Sequence, residues 1–473
     1  MKQKYIVHDN QSRLILLFLG WGMDAAPFSS LRKTGYDIMV VYDYTGYRDG
    51  GNQDTALADI VRNYSETVLF GWSFGVRVAS SFLKKYKNTL PITRAVAVNG
   101  TPSHIHDTLG IPQAIFSGTL AGLSETTLRK FHRRMFADSQ SYLLFTGHAP
   151  QRTFDSLLEE LRTFGELPNI ETTEMWDIAV ISEQDRIFPE PNQQAAWGER
   201  AVRLPASPHF PDMQAMLDRY VVDKQLVADK FSNATATYGS NASVQTSVAQ
   251  ELWEHTSPFI GTLRNSPLKV LEIGVGNGTL TRIYADNLPP YRLTLWDIAD
   301  MPLPSCVPPE TEIIRCDAET TISSVTAGSV DLLLSASTMQ WFHSIPRFIR
   351  ILPGVLAPGG IAAMAMYGNG TYREIEAVTG RSLSYPSHNI LTATARECGL
   401  KILYSGEENR QVFFPSVNEL LRHLKLTGVN ALGGDKGAQS SAIKLMRSYP
   451  LQPDGTAPLT YRPLYLILQK AHG

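Results

Sequence analysis

Ser73 lies in Gly71-Trp72-Ser73-Phe74-Gly75, a serine flanked by two glycines that leave room for a sharp turn around its hydroxyl. A serine is a weak nucleophile until a neighbouring base takes its proton, so the pattern gains meaning only with a histidine and an acid further along. Asp185, in Ser182-Glu183-Gln184-Asp185-Arg186-Ile187-Phe188-Pro189, and His209, in Ser207-Pro208-His209-Phe210, supply both in the order serine, acid, histidine. In such a set Ser73 attacks an ester carbonyl, His209 carries the proton to the departing alcohol, and Asp185 fixes the imidazole tautomer. Asp177 is the competing acid, but it begins an apolar run instead of leaving one. The developing oxyanion would need backbone donors. The amide of Phe74 and that of Trp21, in Leu19-Gly20-Trp21-Gly22, are candidates, each worth about 3 kcal/mol to a transition state.

A second constellation follows two hundred residues later. Glu272-Ile273-Gly274-Val275-Gly276-Asn277-Gly278 ends the apolar run Lys269 to Ile273, and a helix can start at Leu280. Glycines there let a nucleotide approach the backbone, and the helix N-terminus offers amide donors. Asp297 closes the next run, Arg292 to Trp296, where an acid can take the ribose hydroxyls. NAD is the rival ligand. The spacing G-x-G-x-G, with Asp317-Ala318 after the following strand, points instead to S-adenosylmethionine, with Glu272, Gly274, Gly276, Gly278, Asp297, Asp317 and Ala318 as cofactor residues. The alternative for Asp317 is a turn acid. Gln340 and Trp341, with Tyr238, could line an acceptor pocket, or the first two could simply begin a helix. Arg422, His423 and Lys425 are further candidates for holding a substrate. If that substrate is a carboxylate, no general base is needed, because an acid with a pKa of about 4 is already anionic at neutral pH.

Strands and helices must hold these residues in place. Short apolar runs alternate with amphipathic stretches twice along the chain, the pattern of parallel sheets covered by helices. The first set comprises Leu14–Leu19, Ile38–Tyr42, Val68–Trp72, Arg94–Asn99, Ile178–Ile181 and Ala201–Leu204. The second comprises Lys269–Ile273, Arg292–Trp296, Val330–Ser335, Ile361–Met366, Lys401–Ser405 and Tyr465–Leu468. The predicted organisation is an N-terminal α/β-hydrolase domain over 1–220, with a helical lid at about 103–170, and a Rossmann-like class I methyltransferase domain over 221–473. Within the lid segment, Arg129, Lys130, Arg133 and Arg134 alternate with apolar residues, either as a solvated helix face or as a dock for an acidic carrier protein.

With 473 residues, two domains can each bury a core. The 43 basic and 45 acidic residues nearly cancel, which gives no general attraction to nucleic acid or an anionic membrane. Cys306, Cys316 and Cys398 have neither metal-ligand nor disulfide-framework spacing, so no metal is expected and a reducing cytoplasm fits. No run of about twenty apolar residues and no secretory leader is evident.

Two resemblances cover nearly the whole chain. Leu19-Gly20-Trp21-Gly22, Phe70-Gly71-Trp72-Ser73-Phe74-Gly75 and Arg129-Lys130-Phe131-His132-Arg133-Arg134-Met135 resemble pimeloyl-acyl-carrier-protein methyl ester esterases. Lys224-Gln225-Leu226-Val227-Ala228-Asp229-Lys230-Phe231, Ala236-Thr237-Tyr238, the glycine turn and Met339-Gln340-Trp341 resemble malonyl-acyl-carrier-protein O-methyltransferases of biotin synthesis. The resemblance implies a bifunctional enzyme. One half would cap the carboxylate of a malonyl thioester on acyl carrier protein, and the other would remove the cap from the elongated pimeloyl ester. A different esterase–methyltransferase fusion, or one half reduced to a carrier-binding module, are the alternatives.

Overall fold

The computed structural model describes the chain apart from Leu303, Pro386, residues 428–433 and Gly473; of residues 234–241 and 434–440 it describes the backbone alone. The chain divides into two compact units, Met1–Val221 and Val222–Gly473.

The first unit is built on strands β1 (Lys2–Val7), β2 (Arg13–Phe18), β3 (Asp37–Tyr42), β4 (Glu66–Trp72), β5 (Ile92–Val98), β6 (Ile178–Gln184) and β7 (Ala201–Pro208). Their order across the sheet is β1-β3-β2-β4-β5-β6-β7, parallel except for β1 at the edge. β2, β4 and β5 are buried on both faces and their middles are apolar, Leu14–Phe18, Val68–Phe70 and Ala95–Val98, as central strands sandwiched by helices must be. One apolar cluster includes Leu16, Leu69 and Ala97, and the other Leu17, Phe70 and Val98, so adjacent residues feed opposite faces. Between β5 and β6 the chain forms four helices, Gln113–Ala121, Glu125–Arg134, Ser139–Thr146 and Phe154–Glu166. Ser124 caps the second through a reciprocal bond with Thr127, Asp138 the third and Thr153 the fourth.

The second unit carries β8 (Leu268–Ile273), β9 (Tyr291–Asp297), β10 (Glu312–Arg315), β11 (Val330–Ala336), β12 (Leu356–Tyr367), β13 (Lys401–Glu407) and, after the small pair β14 (Arg410–Phe414) and β15 (Ala457–Tyr461), β16 (Pro463–Gln469). The main sheet runs β10-β9-β8-β11-β12-β16-β13, with β16 antiparallel to both its neighbours. The order reverses direction between β8 and β11, where a parallel sheet opens a crevice at its carboxyl edge. The glycine turn leaves β8 at that edge. Helices Lys224–Asn241 and Ser243–Ile260 precede the sheet. Among the described residues, no helix is long and apolar enough to cross a membrane, and no three acid, histidine or cysteine side chains are grouped to hold a metal.

Candidate functional sites

Ser73 sits between β4 and the helix Gly75–Tyr86 with φ +57°, a left-handed conformation that few serines adopt. The neighbouring glycines make that turn possible. A Cβ on Gly75 would lie 2.3 Å from the Phe18 carbonyl oxygen, and one on Gly71 would lie 2.8 Å from the Trp176 ring. The serine is 6% exposed, and its Oγ lies 3.0 Å from His209 Nε2. His209 Nδ1 is 2.9 Å from Asp185 Oδ2, so base and acid are both in hydrogen-bond reach.

Asp185 leaves β6 in a tight turn in which its Oδ1 accepts the amides of Ile187 and Phe188 at 2.8 and 2.9 Å. Its Oδ2 accepts a third bond from Gln193 Nε2 at 3.1 Å. Gln193 is fully buried and also donates to the Phe188 carbonyl, which fixes the carboxylate plane that faces the imidazole. Asp177 stands elsewhere, accepting the Ala95 amide and pairing with Lys87. The His209 carbonyl accepts the Trp72 indole and the Asn99 side-chain amide, both at 2.9 Å. Asn99 also receives the Ser182 amide and donates to Ser182 Oγ, so one buried side chain ties the serine-bearing sheet to the histidine loop. Gln193 and Asn99 were not expected from sequence. An isolated glutamine in Pro191-Asn192-Gln193 carries no signal, although Asn99 at the end of a strand, with φ +47°, is the kind of residue that tolerates such a turn.

The amides of Trp21 and Phe74 have no hydrogen-bond partner among the described residues, which leaves both able to receive an oxyanion. Gly20 abuts the serine: a Cβ there would stand 2.9 Å from Ser73 Cβ. The loop itself is bolted to the helix Phe154–Glu166. The Trp21 indole donates to the Leu157 carbonyl at 2.9 Å, and buried Glu160 accepts the amides of Gly22 and Tyr44. Arg152 closes this knot by pairing with Glu160 and Asp43. A pocket of about 500 Å³ opens beside Ser73, walled by Ile111, Ile115, Phe116, Phe131 and Leu161, with Arg134 and Arg186 as its cations. Of the four basic residues expected to dock a carrier, Arg129, Lys130 and Arg134 are exposed, whereas Arg133 bends back to the Phe136 carbonyl and Ser139.

In the second unit a cavity of about 800 Å³ lies at the end of β8. Gly274, Gly276, Asp297, Asp317, Ala318 and Trp341 all line it. Gly274 has φ +77°, and a Cβ would fall 1.8 Å from Thr338 Oγ1; Gly276 has φ +52° and open space where its Cβ would be. Asp297 is 8% exposed, its two oxygens accepting the amides of Gly276 and Ala299 at 2.9 Å. Burial raises its pKa against the pull of those amides. Each carboxylate oxygen retains a lone pair for another donor. Asp317 binds Lys224 Nζ through both oxygens at 2.9 Å. Lys224, at the start of its helix, also reaches Glu319, which accepts the amides of His343 and Ser344. Burial would raise the Glu319 carboxyl, but the Lys224 ammonium and His343 hold it well below the usual range.

Five expected cofactor or substrate contacts stand outside the described cavity linings. Glu272 does not line the cavity. Its Oε2 accepts Thr281 Oγ1 at 2.8 Å and Tyr284 OH at 2.6 Å, joining β8 to the helix Thr279–Tyr284, because the strand's alternation turns this side chain inward. Gly278 is likewise outside the cavity wall, as the left-handed cap of that helix packed on Pro304. Neither Arg422, His423 nor Lys425 lines a cavity: Arg422 and Lys425 face solvent, and His423 bonds Tyr461 OH at 2.8 Å. Gln340 lines a smaller adjoining pocket, which Trp341 shares with the main cavity. The Tyr238 side chain falls outside the described residues.

Glu272 carries a pH prediction. Burial pushes its carboxyl up to about 7, and its Oε1 has no partner, which favours the neutral acid. An exposed glutamate releases its proton near about 4.3, so folding takes up a proton between those values. The stability contributed by this raised group is full at low pH and lost as pH rises to about 7. Denaturant unfolding of Glu272→Gln and wild type is expected to diverge in favour of the variant by on the order of 3 kcal/mol between pH 5 and 8. A difference that stays constant with pH would refute this assignment.

Comparison with known proteins places the chain in a family. Malonyl-acyl-carrier-protein O-methyltransferase of Bacteroides fragilis (strain 638R) is 32% identical over 470 residues, 96% of this chain and 92% of that protein. The chain belongs to that family. The pimeloyl-ACP methyl esterase BioG family matches residues 1–211, and a methyltransferase domain family matches residues 271–364. The protein is therefore a fusion of a BioG domain with a methyltransferase domain, and its second unit has the Rossmann-like class I methyltransferase fold. The enzyme of the same name from Chlorobium phaeovibrioides is 31% identical over 261 residues, 53% of this chain and 98% of that protein. The crystal structure of BioG from Haemophilus influenzae is 31% identical, covering 44% of this chain and 94% of that one, with a TM-score of 0.37.

Proposed function

We propose that the chain is a bifunctional enzyme of biotin synthesis that methylates the free carboxylate of malonyl-acyl carrier protein in its C-terminal half and hydrolyses pimeloyl-acyl-carrier-protein methyl ester in its N-terminal half. The observation that carries the reading is the continuous hydrogen-bonded line Ser73–His209–Asp185 in one unit, joined in one chain to a methyltransferase domain. The first unit is an α/β-hydrolase whose four helices between β5 and β6 form a lid. Its sheet order, the strained serine after β4 and the apolar pocket beneath those helices support this.

In the esterase, Ser73 Oγ attacks the ester carbonyl while His209 Nε2 accepts its proton; the oxyanion is met by the amides of Phe74 and Trp21. His209 then protonates the departing methoxide oxygen as its bond to the carbonyl carbon breaks, releasing methanol, and water repeats the sequence to release the acid. Asp185, held by three donors, keeps the imidazole oriented and stabilises its cationic form.

In the methyltransferase, S-adenosylmethionine, when bound, supplies an electrophilic methyl group. The residues present fit such a group: Gly276 leaves a cradle that a Cβ would fill, and buried Asp297 offers acceptors suited to a ribose diol. Asp317, held by Lys224, stands where an adenine edge would be read, beside Ala318. The apolar walls exclude water, which matters more here than acid–base help.

Arg129, Lys130 and Arg134 give the lid an exposed cationic face for an acidic acyl carrier protein. Selectivity would come from the pocket. Pimeloyl and malonyl esters differ by four methylenes, each worth up to about 0.8 kcal/mol when buried, so hydrolysis of the longer ester is expected to be favoured by on the order of 10²-fold in kcat/KM. Equal turnover of the two esters on the carrier would contradict this. Mass spectrometry of malonyl-acyl carrier protein with S-adenosylmethionine, beside pimeloyl-acyl-carrier-protein methyl ester, tests both halves. Methylation of the first and demethylation of the second are expected, and activity on neither would move both halves to other substrates.

A further inference from the structure

The adjoining pocket in the second unit, about 320 Å³, shares Phe231, Ser337 and Trp341 with the cofactor cavity, so the two meet at a common wall. Its remaining polar lining comes from Gln245, Gln340, Tyr367, Tyr372 and Tyr385, and among the described residues no lysine, arginine, histidine or acid lines it.

The hydrogen-bonding capacity in it is unfilled. The Trp341 indole N–H is buried without an acceptor, and the Oε1 atoms of Gln245 and Gln340 are buried without a donor. Gln340 is fixed by donating to the Ser337 carbonyl at 2.7 Å. Gln245, 6% exposed on the inner face of the helix Ser243–Ile260, makes no bond through its amide among the described residues and is free to turn its NH₂ to a ligand. The Tyr385 hydroxyl has no partner among the described residues either. A buried N–H left in this way, such as that of Trp341, costs free energy unless a ligand acceptor completes it. Burial also raises the Tyr372 and Tyr385 phenols, which therefore remain donors throughout the physiological range.

We propose that this pocket receives the carboxylate of a short dicarboxylic half-thioester through neutral donors, the Tyr385 hydroxyl, the Gln245 amide and the Trp341 indole N–H, and holds one carboxylate oxygen at the wall shared with the methyl donor. The inference rests on the methyl-transfer reading above and extends it by naming how the acceptor is held. One carboxylate oxygen forms a bond to the methyl carbon while that carbon's bond to sulfur breaks, the electron pair leaving with sulfur. An anion and a cation become two neutral products, and no proton moves. A low-dielectric pocket favours that loss of charge. An arginine would bind the carboxylate tightly and stabilise the charge that must disappear; phenol, amide and indole donors orient it with less of that penalty.

Binding can be read without turnover. Titration calorimetry of the full chain with malonyl-pantetheine and with acetyl-pantetheine, in the absence of methyl donor, is expected to show at least 10-fold preference for the malonyl compound. Tyr385→Phe and Gln245→Leu are each expected to weaken malonyl-pantetheine binding by about 10-fold and to leave acetyl-pantetheine and S-adenosylmethionine binding unchanged. Unchanged malonyl affinity in both variants would overturn the assignment of the pocket while leaving the methyltransferase reading intact. Failure of the wild type to prefer malonyl- over acetyl-pantetheine would remove that reading and this inference together. Loss of S-adenosylmethionine binding in both variants would assign the two residues to the architecture of the cofactor cavity and overturn the proposal as well.

Discussion

Ser73→Ala eliminates hydrolysis of the pimeloyl methyl ester, with kcat expected to fall on the order of 10⁵- to 10⁶-fold, while methylation of malonyl-acyl carrier protein by the same preparation continues. The size of the loss follows from the geometry. Ser73 Oγ has one base in reach, at 3.0 Å, and no second hydroxyl lines the pocket except Thr119. His209→Ala should lose about as much, because the three residues act as a unit and their deletions are not additive. Asp185→Asn is the finer probe. Asparagine keeps the shape of the turn but can present an N–H where the imidazole N–H now points, favouring the wrong tautomer, and a loss of about 10⁴-fold is expected. Gln193→Leu, which removes one of the three donors to Asp185, should cost far less, on the order of 10-fold. Steady-state assays across the four variants would rank them in this order. Ester cleavage that survives Ser73→Ala would remove the nucleophile from the proposal and leave the first unit as a binding module.

That ranking depends on residues of unequal visibility in the sequence. Ser73, Asp185 and His209 are readable because each follows an apolar run; those before Ser73 and Asp185 are the central strands β4 and β6, buried along most of their length, and that before His209 is the edge strand β7, which has no buried residue. Edge strands lack that burial. β1, Lys2–Val7, and β10, Glu312–Arg315, have exposed or half-buried side chains throughout, so their sequences resemble loops: β1 was not expected, and β10 only as a strand of unstated bounds before Asp317. β14 was missed for the same reason, alternating half-buried with exposed residues over only five positions, whereas its partner β15, also missed, is buried throughout.

Residues that support the chemistry from behind are harder still to read. Asn99 and Glu160 act through contacts with residues distant along the chain, Glu160 reaching back 138 residues to the Gly22 amide, and no local spacing encodes such a partner; Gln193 bonds Asp185 only 8 residues away, but its residue type carries no signal. Lys224 is similar, since its pairing with Asp317 spans 93 residues. Glu272 shows the opposite error. Its place beside the glycines suggests the cofactor, yet strand alternation sends its side chain to Thr281 and Tyr284 on the other side. A motif thus identifies which backbone turn approaches a ligand more reliably than which side chain in the turn touches it.

Asp297 is the side chain for which turn and ligand coincide, and its replacement carries the largest effect expected in the second unit. Asp297→Ala should weaken S-adenosylmethionine binding by roughly 10²-fold, since a carboxylate that receives two ribose hydroxyls makes two charged hydrogen bonds worth about 1.5–3 kcal/mol each, part of which water recovers. S-adenosylhomocysteine has the same ribose and should weaken equally, so calorimetry with either nucleoside reads the contact without turnover. The same carboxylate accepts the amides of Gly276 and Ala299, and the alanine variant therefore also loosens the turn. Asp297→Asn separates the two contributions. It retains one acceptor oxygen for the ribose and can keep one of the two amide bonds, so its affinity should fall between those of wild type and alanine, with thermal stability nearer to wild type. Unaltered affinity in Asp297→Ala would show that the ribose is held elsewhere and would withdraw Asp297 from the cofactor site, whatever the family to which the chain belongs.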